Sequence, residues 1–361
     1  MKGAGMSGSA TDAFRGKAEG ENIVVEFGSS LAVPGAIALT QQVVMPVDTA
    51  KRLVLALGDA LRRYAPESLS PEAAQRAVTP VNAPPDAAGE KAALLLKLVA
   101  DLGVPYQHER SFRISPGGLH ANRFLLSLDA ADIAGDPMQK VMEICARLGI
   151  PEATRKAAEA SFGTAACVHF GFEDTAGSLL CKLYLERQVP AGEAADAAAR
   201  SEPVLLHLAY KWDPASGAAV LTRYHWYPRL PLAELEARLA SVYRGRAAEA
   251  SIAIARTVLR AAAKRAPAEQ LQYLEVEEEN GRRSFDLNVY DAALQLKDVQ
   301  DALFAMRERF GARPGQFQAL YDQVKTRALG HLAGGVHRNG EEFFNVYYGV
   351  SGFPRFSERF R

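Results

Sequence analysis

The strongest constraint on the fold is a repeated order of patterns. From residue 49, two amphipathic helices and a β-hairpin recur about five times, with no clear residue identity between copies and a period of about 40–65 residues. In the first copy Thr49 caps a helix carrying Leu53, Val54, Leu57 and Leu61, and a second helix carries Leu94, Leu95, Leu98 and Leu102. Strands follow near 104–114 and 119–129, around Ser115-Pro116-Gly117-Gly118. In the second copy Asp136-Pro137 opens a helix, Gly149 stops it, and Pro151 starts another. Strands near 164–173 and 177–187 complete it. The third copy has one Ala-rich helix near 191–200 and strands near 203–213 and 218–227. The fourth has helices near 231–244 and 247–264, then strands near 269–278 and 283–290. The fifth has helices near 296–310 and 314–328, then strands near 331–337 and 342–350.

Single strands alternating with helices would make a parallel sheet, whereas hairpins separated by helices make an antiparallel one. About ten such strands, with helices between the pairs, must keep every helix on one face. A sheet of that kind hides its edges by closing. The expected fold class is α+β: an antiparallel barrel of about ten strands around a solvent-accessible lumen, with an outer ring of helices. Residues 46–361 form this single domain, and residues 1–45 are a flexible or irregular extension.

In such a barrel the outward strand face packs on helices, so the polar face lines the lumen. Phe124, Leu126 and Leu128 alternate with Arg123, Leu125 and Ser127. Val168, Phe170 and Phe172 alternate with Cys167, His169, Gly171 and Glu173. Leu183 and Leu185 alternate with Lys182, Tyr184 and Glu186; Phe285, Leu287 and Val289 with Ser284, Asp286, Asn288 and Tyr290. Phe344, Val346 and Tyr348 alternate with Phe343, Asn345 and Tyr347, and Glu109 shares a face with Gln107, Ser111 and Arg113. An ordinary closed core would not tolerate these charges unpaired. In any one strand the faces could be reversed, but five strands agree.

Other chemistry is excluded or weak. The 42 basic and 42 acidic side chains cancel, which disfavours a nucleic-acid partner. No apolar run is long enough to span a membrane, and the first twenty residues contain no apolar signal core. Cys145, Cys167 and Cys181 lack CxxC spacing, so a reducing, cytoplasmic setting is expected. No phosphate loop, dinucleotide fingerprint or zinc-protease motif is present, and the histidines lack helical metal spacing, so no metal-binding residues are expected. His169, His331 and His337 can face the lumen as satisfied or solvated side chains. Asp129 and Asp132 read as a strand-ending turn, and Glu277-Glu278-Glu279 as a solvated strand end.

The repeat, together with two segments, resembles the ABBA-fold aromatic prenyltransferases, and within them the cyanobactin-type peptide enzymes. One segment is Ala121-Asn122-Arg123-Phe124-Leu125-Leu126, with Glu109 fourteen residues before Arg123. The other is Val168-His169-Phe170-Gly171-Phe172-Glu173 leading to Cys181-Lys182-Leu183-Tyr184-Leu185-Glu186. Lys182-x-Tyr184 is also similar to the strand motif of fungal indole prenyltransferases, although Arg187 stands where that family often has proline. The resemblance in order covers most of residues 49–350. The chain departs in a longer N-terminus and in a third unit with one helix.

This resemblance implies transfer of a dimethylallyl or longer prenyl group from an allylic diphosphate, tolerant of or assisted by magnesium and without an organic cofactor. The acceptor would be a peptide side chain, such as arginine or an aromatic residue, or a small aromatic metabolite. Glu109 is implied as the acid or base, with Arg123, Lys182 and Tyr184 at the diphosphate. Tyr224, Asn288, Tyr290 and Tyr347 are further expected donor contacts, although Arg223 and His225 could face inward in place of Tyr224. His169, Glu186, Asp286 and Asn345 are expected to line the substrate pocket.

The chemistry fits those residue types. Ionising an allylic diphosphate places negative charge on the leaving group, which Arg and Lys stabilise. The allylic cation needs aromatic faces and exclusion of water. The acceptor needs a base. An inward acidic excess would suit a cationic acceptor, unless those acids pair with Arg113, Arg123 and Lys182. The competing classes are an apolar-ligand carrier, which inward Arg and Lys argue against, and a non-catalytic accessory barrel.

Overall fold

A computed structural model describes residues 13–19, 22–30 and 37–46 as strands, and residues 87–175, 178–279, 282–337 and 339–351 throughout. The helix expected near residues 49–61 lies outside the described residues. The chain divides into two compact units between Pro84 and Pro85.

The first unit holds a three-stranded antiparallel meander: β1 (Ala13–Glu19), β2 (Asn22–Ser30) and β3 (Ile37–Pro46). The sequence reading expects an irregular segment here and a domain boundary near residue 45. The strands follow instead from β-branched runs, Ile23-Val24-Val25 in β2 and Val43-Val44 in β3, which pair in register as Val24 with Val44 and Val25 with Val43.

The second unit opens with α1 (Ala87–Ala100), then the hairpin β4 (Gln107–Ser115) and β5 (Gly118–Asp129). Next come α2 (Pro137–Arg147), α3 (Glu152–Ser161), β6 (Ala165–Thr175) and β7 (Ser178–Arg187). The single helix α4 (Ala191–Arg200) precedes β8 (Val204–Trp212) and β9 (Ala219–Tyr227). Helices α5 (Leu232–Ser241) and α6 (Glu249–Ala263) lead to β10 (Gln272–Glu278) and β11 (Arg283–Asn288). Helices α7 (Gln300–Phe310) and α8 (Pro314–Val324) lead to β12 (Leu329–Val336) and β13 (Glu342–Ser351).

Local chemistry sets these boundaries. Asp136 caps α2 by accepting from the Gln139 amide at 3.0 Å, with Pro137 at the first helical position. Gly149 ends the segment at φ +82°, where a side chain would also press on Pro214.

The ten strands β4–β13 close into one antiparallel barrel. Each hairpin pairs with the next, β9 pairs with β10, and β13 returns to β4 through Phe344 opposite Ile114. The expected α+β architecture is therefore present. The apolar core is a layer between barrel and helices. Phe112, Phe285, Leu287, Phe344 and Val346 pack with Leu239, Leu259, Met306 and Phe317 on one side. Leu126, Phe170, Leu183 and Trp212 pack with Leu95, Val141 and Cys145 on the other. Each fully buried Phe or Leu in this layer contributes roughly 1.5–3 kcal/mol. Because the layer supplies the apolar burial, the lumen is left for polar side chains.

Two expectations are corrected here. Strand β11 ends at Asn288, and Tyr290 begins a short 3-10 turn, so Tyr290 does not continue the strand alternation. Glu278 is 4% exposed and ion-paired; the closed β9–β10 pairing carries it inward, away from solvent.

Candidate active site

The polar strand faces converge on two adjoining chambers, with volumes of about 1000 and about 1950 Å³. Glu173, Lys182, Tyr184, Tyr224, Asp286 and Tyr347 border both. Tyr224 faces inward, whereas Arg223 lies on the outside, 3.7 Å from Glu279.

The larger chamber gathers both signs of charge, with its bases clustered on one wall. Arg113 on β4, Lys182 on β7, Lys211 on β8 and Arg282 ahead of β11 line it, with Glu173 and Glu278 between them. Arg123 on β5 stands in the wall behind Glu173, donating from Nη2 to Glu173 Oε1 at 2.6 Å and from Nε to Ser111 Oγ at 3.4 Å. Lys182 Nζ donates to the same Glu173 oxygen. Glu278 Oε1 receives Arg282 Nη1 at 2.8 Å and lies 3.4 Å from Lys211 Nζ. Five basic side chains thus gather around Glu173 and Glu278, and Asp213, Asp286 and Glu341 also line the chamber. Asp286 is engaged elsewhere, and Asp213 and Glu341 lie in the less buried part. One guanidinium nitrogen each of Arg113 and Arg123, Nη2 and Nη1, is buried without a hydrogen-bond partner. The Arg113 guanidinium sits 4.2 Å over the Phe343 ring.

Burial first, and neighbouring like charge after it, lowers three of these bases. Burial, and then Arg123, lower Arg113 to about 9. Burial lowers Lys182 to about 8, although Glu173 opposes it. Burial and Lys182 lower Lys211 to about 7. Burial would raise Glu173, but Arg123 and Lys182 hold it well below the usual carboxylate range. A site that strains its own cations toward neutrality favours an anion.

Magnesium was expected as an assistant to the diphosphate. It needs oxygen donors, yet Glu173 is held by Arg123 and Lys182, and Glu278 by Lys211 and Arg282. Both of these carboxylates already have cationic partners.

The smaller chamber centres on Glu109 of β4. Its Oε1 accepts from the Tyr290 hydroxyl, and its Oε2 lies 3.1 Å from His331 Nε2. His331 Nδ1 lies 2.7 Å from Asp286 Oδ1. Burial alone would lower His331, but the carboxylates of Asp286 and Glu109 raise it to about 10, so it is an imidazolium at neutral pH. Tyr347 stacks on that ring at 3.8 Å between centroids. On the opposite wall His169 bonds Ser127 and Glu186, and His207 lies beside them. Burial lowers His207 to about 4.

Between the chambers stand Tyr184, Tyr224 and Tyr347. Tyr184 and Tyr224 meet edge to face at 5.6 Å. Burial raises all three phenols well above 10, so they remain neutral rings.

Most of the expected residues meet in this lumen, divided between its two chambers. Asn288 and Tyr290, expected at the diphosphate, stand with Glu109: Asn288 accepts from the Tyr290 amide and donates to Gln272. Asn345, expected in the substrate pocket, lines the larger chamber. The sequence reading did not single out Lys211, Arg282 or His207, and read Glu278 as part of a solvated strand end. Alternation with Leu208, Tyr210 and Trp212 marks both Lys211 and His207 as inward, since the bulge on β8 lies before them, between Leu205 and His207.

Among the described residues no helix is long and apolar enough to cross a membrane. No family model and no curated protein matches the chain. Solved structures similar to it include AnaPT from Neosartorya fischeri, 15% identical over 68% of this chain and 80% of that one, with a TM-score of 0.42. They also include the NotF prenyltransferase, at 13% identity over 68% and 81% with a TM-score of 0.46, and NotF in complex with brevianamide F and DMSPP, at 14% over 69% and 81% with a TM-score of 0.44.

Proposed function

We propose that the barrel is a prenyltransferase that moves an isoprenyl group from an allylic diphosphate to a nucleophilic acceptor in the smaller chamber. The observation that carries this reading is the cluster of Arg113, Arg123, Lys182, Lys211 and Arg282 around Glu173 and Glu278, with a layer of tyrosines between it and Glu109. The diphosphate sits among Arg113, Lys182, Lys211 and Arg282, with Arg123 acting through Glu173. As the allylic C–O bond breaks, its electron pair stays on the diphosphate oxygen, and these preorganised cations meet the growing charge. The ring faces of Tyr184 and Tyr224 shield the allylic cation, each worth roughly 0.5–2 kcal/mol. The acceptor's electron pair forms the new bond to carbon, and its proton passes to Glu109, whose orientation Tyr290 and His331 hold.

An uncharged aromatic acceptor, free or in a peptide, suits the chamber better than a guanidinium. Three of its four acids have cationic partners: Glu109 and Asp286 share His331, and Glu173 holds Arg123 and Lys182, while Glu186 faces His169 and His207. The lumen's charge also disfavours an apolar-ligand carrier.

The test is incubation of the full chain with dimethylallyl, geranyl and farnesyl diphosphates and a panel of peptides and aromatic metabolites, read by mass. A gain of one prenyl unit on an acceptor is expected, abolished in folded Arg123→Ala and Lys182→Ala proteins. Full turnover in either variant would remove the assignment.

A further inference from the structure

We infer that His169, Glu186 and His207 bind one divalent transition-metal ion of the zinc class, in the wall of the smaller chamber. This does not depend on the transferase reading. The three residues lie on consecutive strands β6, β7 and β8, with Glu186 directly opposite His207 in the ladder. They are set by pairing across strands, so no sequence spacing announces them.

The geometry is close to a ligand set. His169 Nε2 lies 3.1 Å from Glu186 Oε2, and His207 Nδ1 lies 3.5 Å from the same oxygen. One ligand atom from each residue falls within 4.8 Å of the others. Bonds of about 2.0–2.1 Å arranged tetrahedrally place their ligand atoms about 3.3 Å apart. The two measured edges bracket that separation.

Two further observations point the same way. His207 Nδ1 is buried without a hydrogen-bond partner, so the fold leaves a nitrogen lone pair or N–H unmet beside a carboxylate. Ser127 Oγ lies 2.8 Å from His169 Nδ1. With Nδ1–H donated to that hydroxyl, Nε2 presents its lone pair toward Glu186, the orientation that an outer hydrogen bond gives to a metal-bound histidine.

The donor chemistry selects the ion. Two imidazoles and one carboxylate suit zinc, cobalt or iron, whereas magnesium and calcium prefer oxygen alone. Three protein ligands leave a coordination position unfilled, and all three residues line the chamber, so that position is reachable by a ligand in the lumen. A heteroatom bound there would lose its proton more readily.

The test uses the full chain stripped with a chelator and titrated with Zn2+, and separately with Mg2+. The expected result is one Zn2+ per chain, a rise in thermal midpoint with Zn2+, no comparable effect of Mg2+, and the visible absorption of tetrahedral Co2+ on cobalt substitution. Glu186→Gln and His207→Gln should abolish stoichiometric binding. Ser127→Ala, which alters no ligand, should weaken it by about 10–100-fold and serves if either ligand variant fails to fold. Absence of stoichiometric Zn2+ from the parent chain, or affinity unchanged in the folded variants, would overturn the inference.

Discussion

Arg123 donates to Glu173 across 2.6 Å, with side-chain exposures of 1% and 11%. Glu173 is thereby the hub of the cationic wall, since Lys182 closes on the same oxygen. Removing one partner from a buried ion cluster leaves the others uncompensated, at a cost of about 3–5 kcal/mol. Glu173→Gln keeps the shape and removes the charge. Its stability to urea at pH 7 should fall by about that amount, and inorganic pyrophosphate should restore much of it. A variant as stable as the parent chain would show that Arg123 and Lys182 do not depend on this carboxylate.

Arg113 predicts the opposite sign. It is buried, one of its nitrogens has no hydrogen-bond partner, and burial and Arg123 press its pKa down to about 9. In the empty barrel its charge is a cost. Arg113→Met retains packing on Phe343 and removes that charge. The ligand-free protein should be more stable by about 1–2 kcal/mol, while its affinity for pyrophosphate falls. Calorimetry and thermal unfolding on the same samples check both halves, and a loss of stability would show that Arg113 is adequately compensated.

Lys211 makes anion binding depend on pH. Its pKa is lowered from 10.5 to about 7 by burial and by Lys182. Between about pH 7 and 10.5 the unfolded chain holds this proton and the folded chain does not. This group therefore makes the empty protein more stable as pH rises through that range, by up to about 1.4 kcal/mol per pH unit. A bound diphosphate reverses the preference and recharges the lysine. Pyrophosphate binding should thus take up protons above pH 7, and affinity should fall as pH rises. Titration in two buffers of different ionisation enthalpy measures that uptake, and Lys211→Met should reduce it by about one proton at pH 8–9.

The parts of this lumen that were legible from sequence are those where strand alternation is unbroken. Lys182, Tyr184, Asp286 and Tyr347 each sit between residues of the apolar layer, and Arg123 precedes Phe124, which packs on it, so the period of two assigns their faces. The closed barrel was legible for a related reason: hairpins spaced by helices leave an antiparallel sheet no other way to cover its edges. Where alternation breaks, the signal fails. Tyr290 lies past the end of β11, in a turn that brings its hydroxyl to Glu109. Glu278 is one of three consecutive glutamates, and its pairing with Lys211 and Arg282 distinguishes it. The His331 bridge joins residues 222 apart in sequence, a relation that only closure of the barrel creates.

Gly330 is a final test of how Glu109 is placed. It lies on β12 at the register shift between Leu329 and His331. A Cβ added there would overlap Glu109 Oε1 and come within 2.7 Å of the Tyr290 hydroxyl. The backbone itself is fixed, because the Gly330 carbonyl accepts from the Val289 amide at 2.9 Å. The methyl group of Gly330→Ala must therefore displace the carboxylate or the phenol. Displacement of a catalytic group by about 1 Å can cost about 100-fold in rate. Prenyl transfer in Gly330→Ala should fall by that order, while pyrophosphate affinity, set by Arg113, Lys182, Lys211 and Arg282, stays within about twofold. Loss of both together would indicate collapse of the lumen, and loss of neither would show that Glu109 does not take the acceptor's proton.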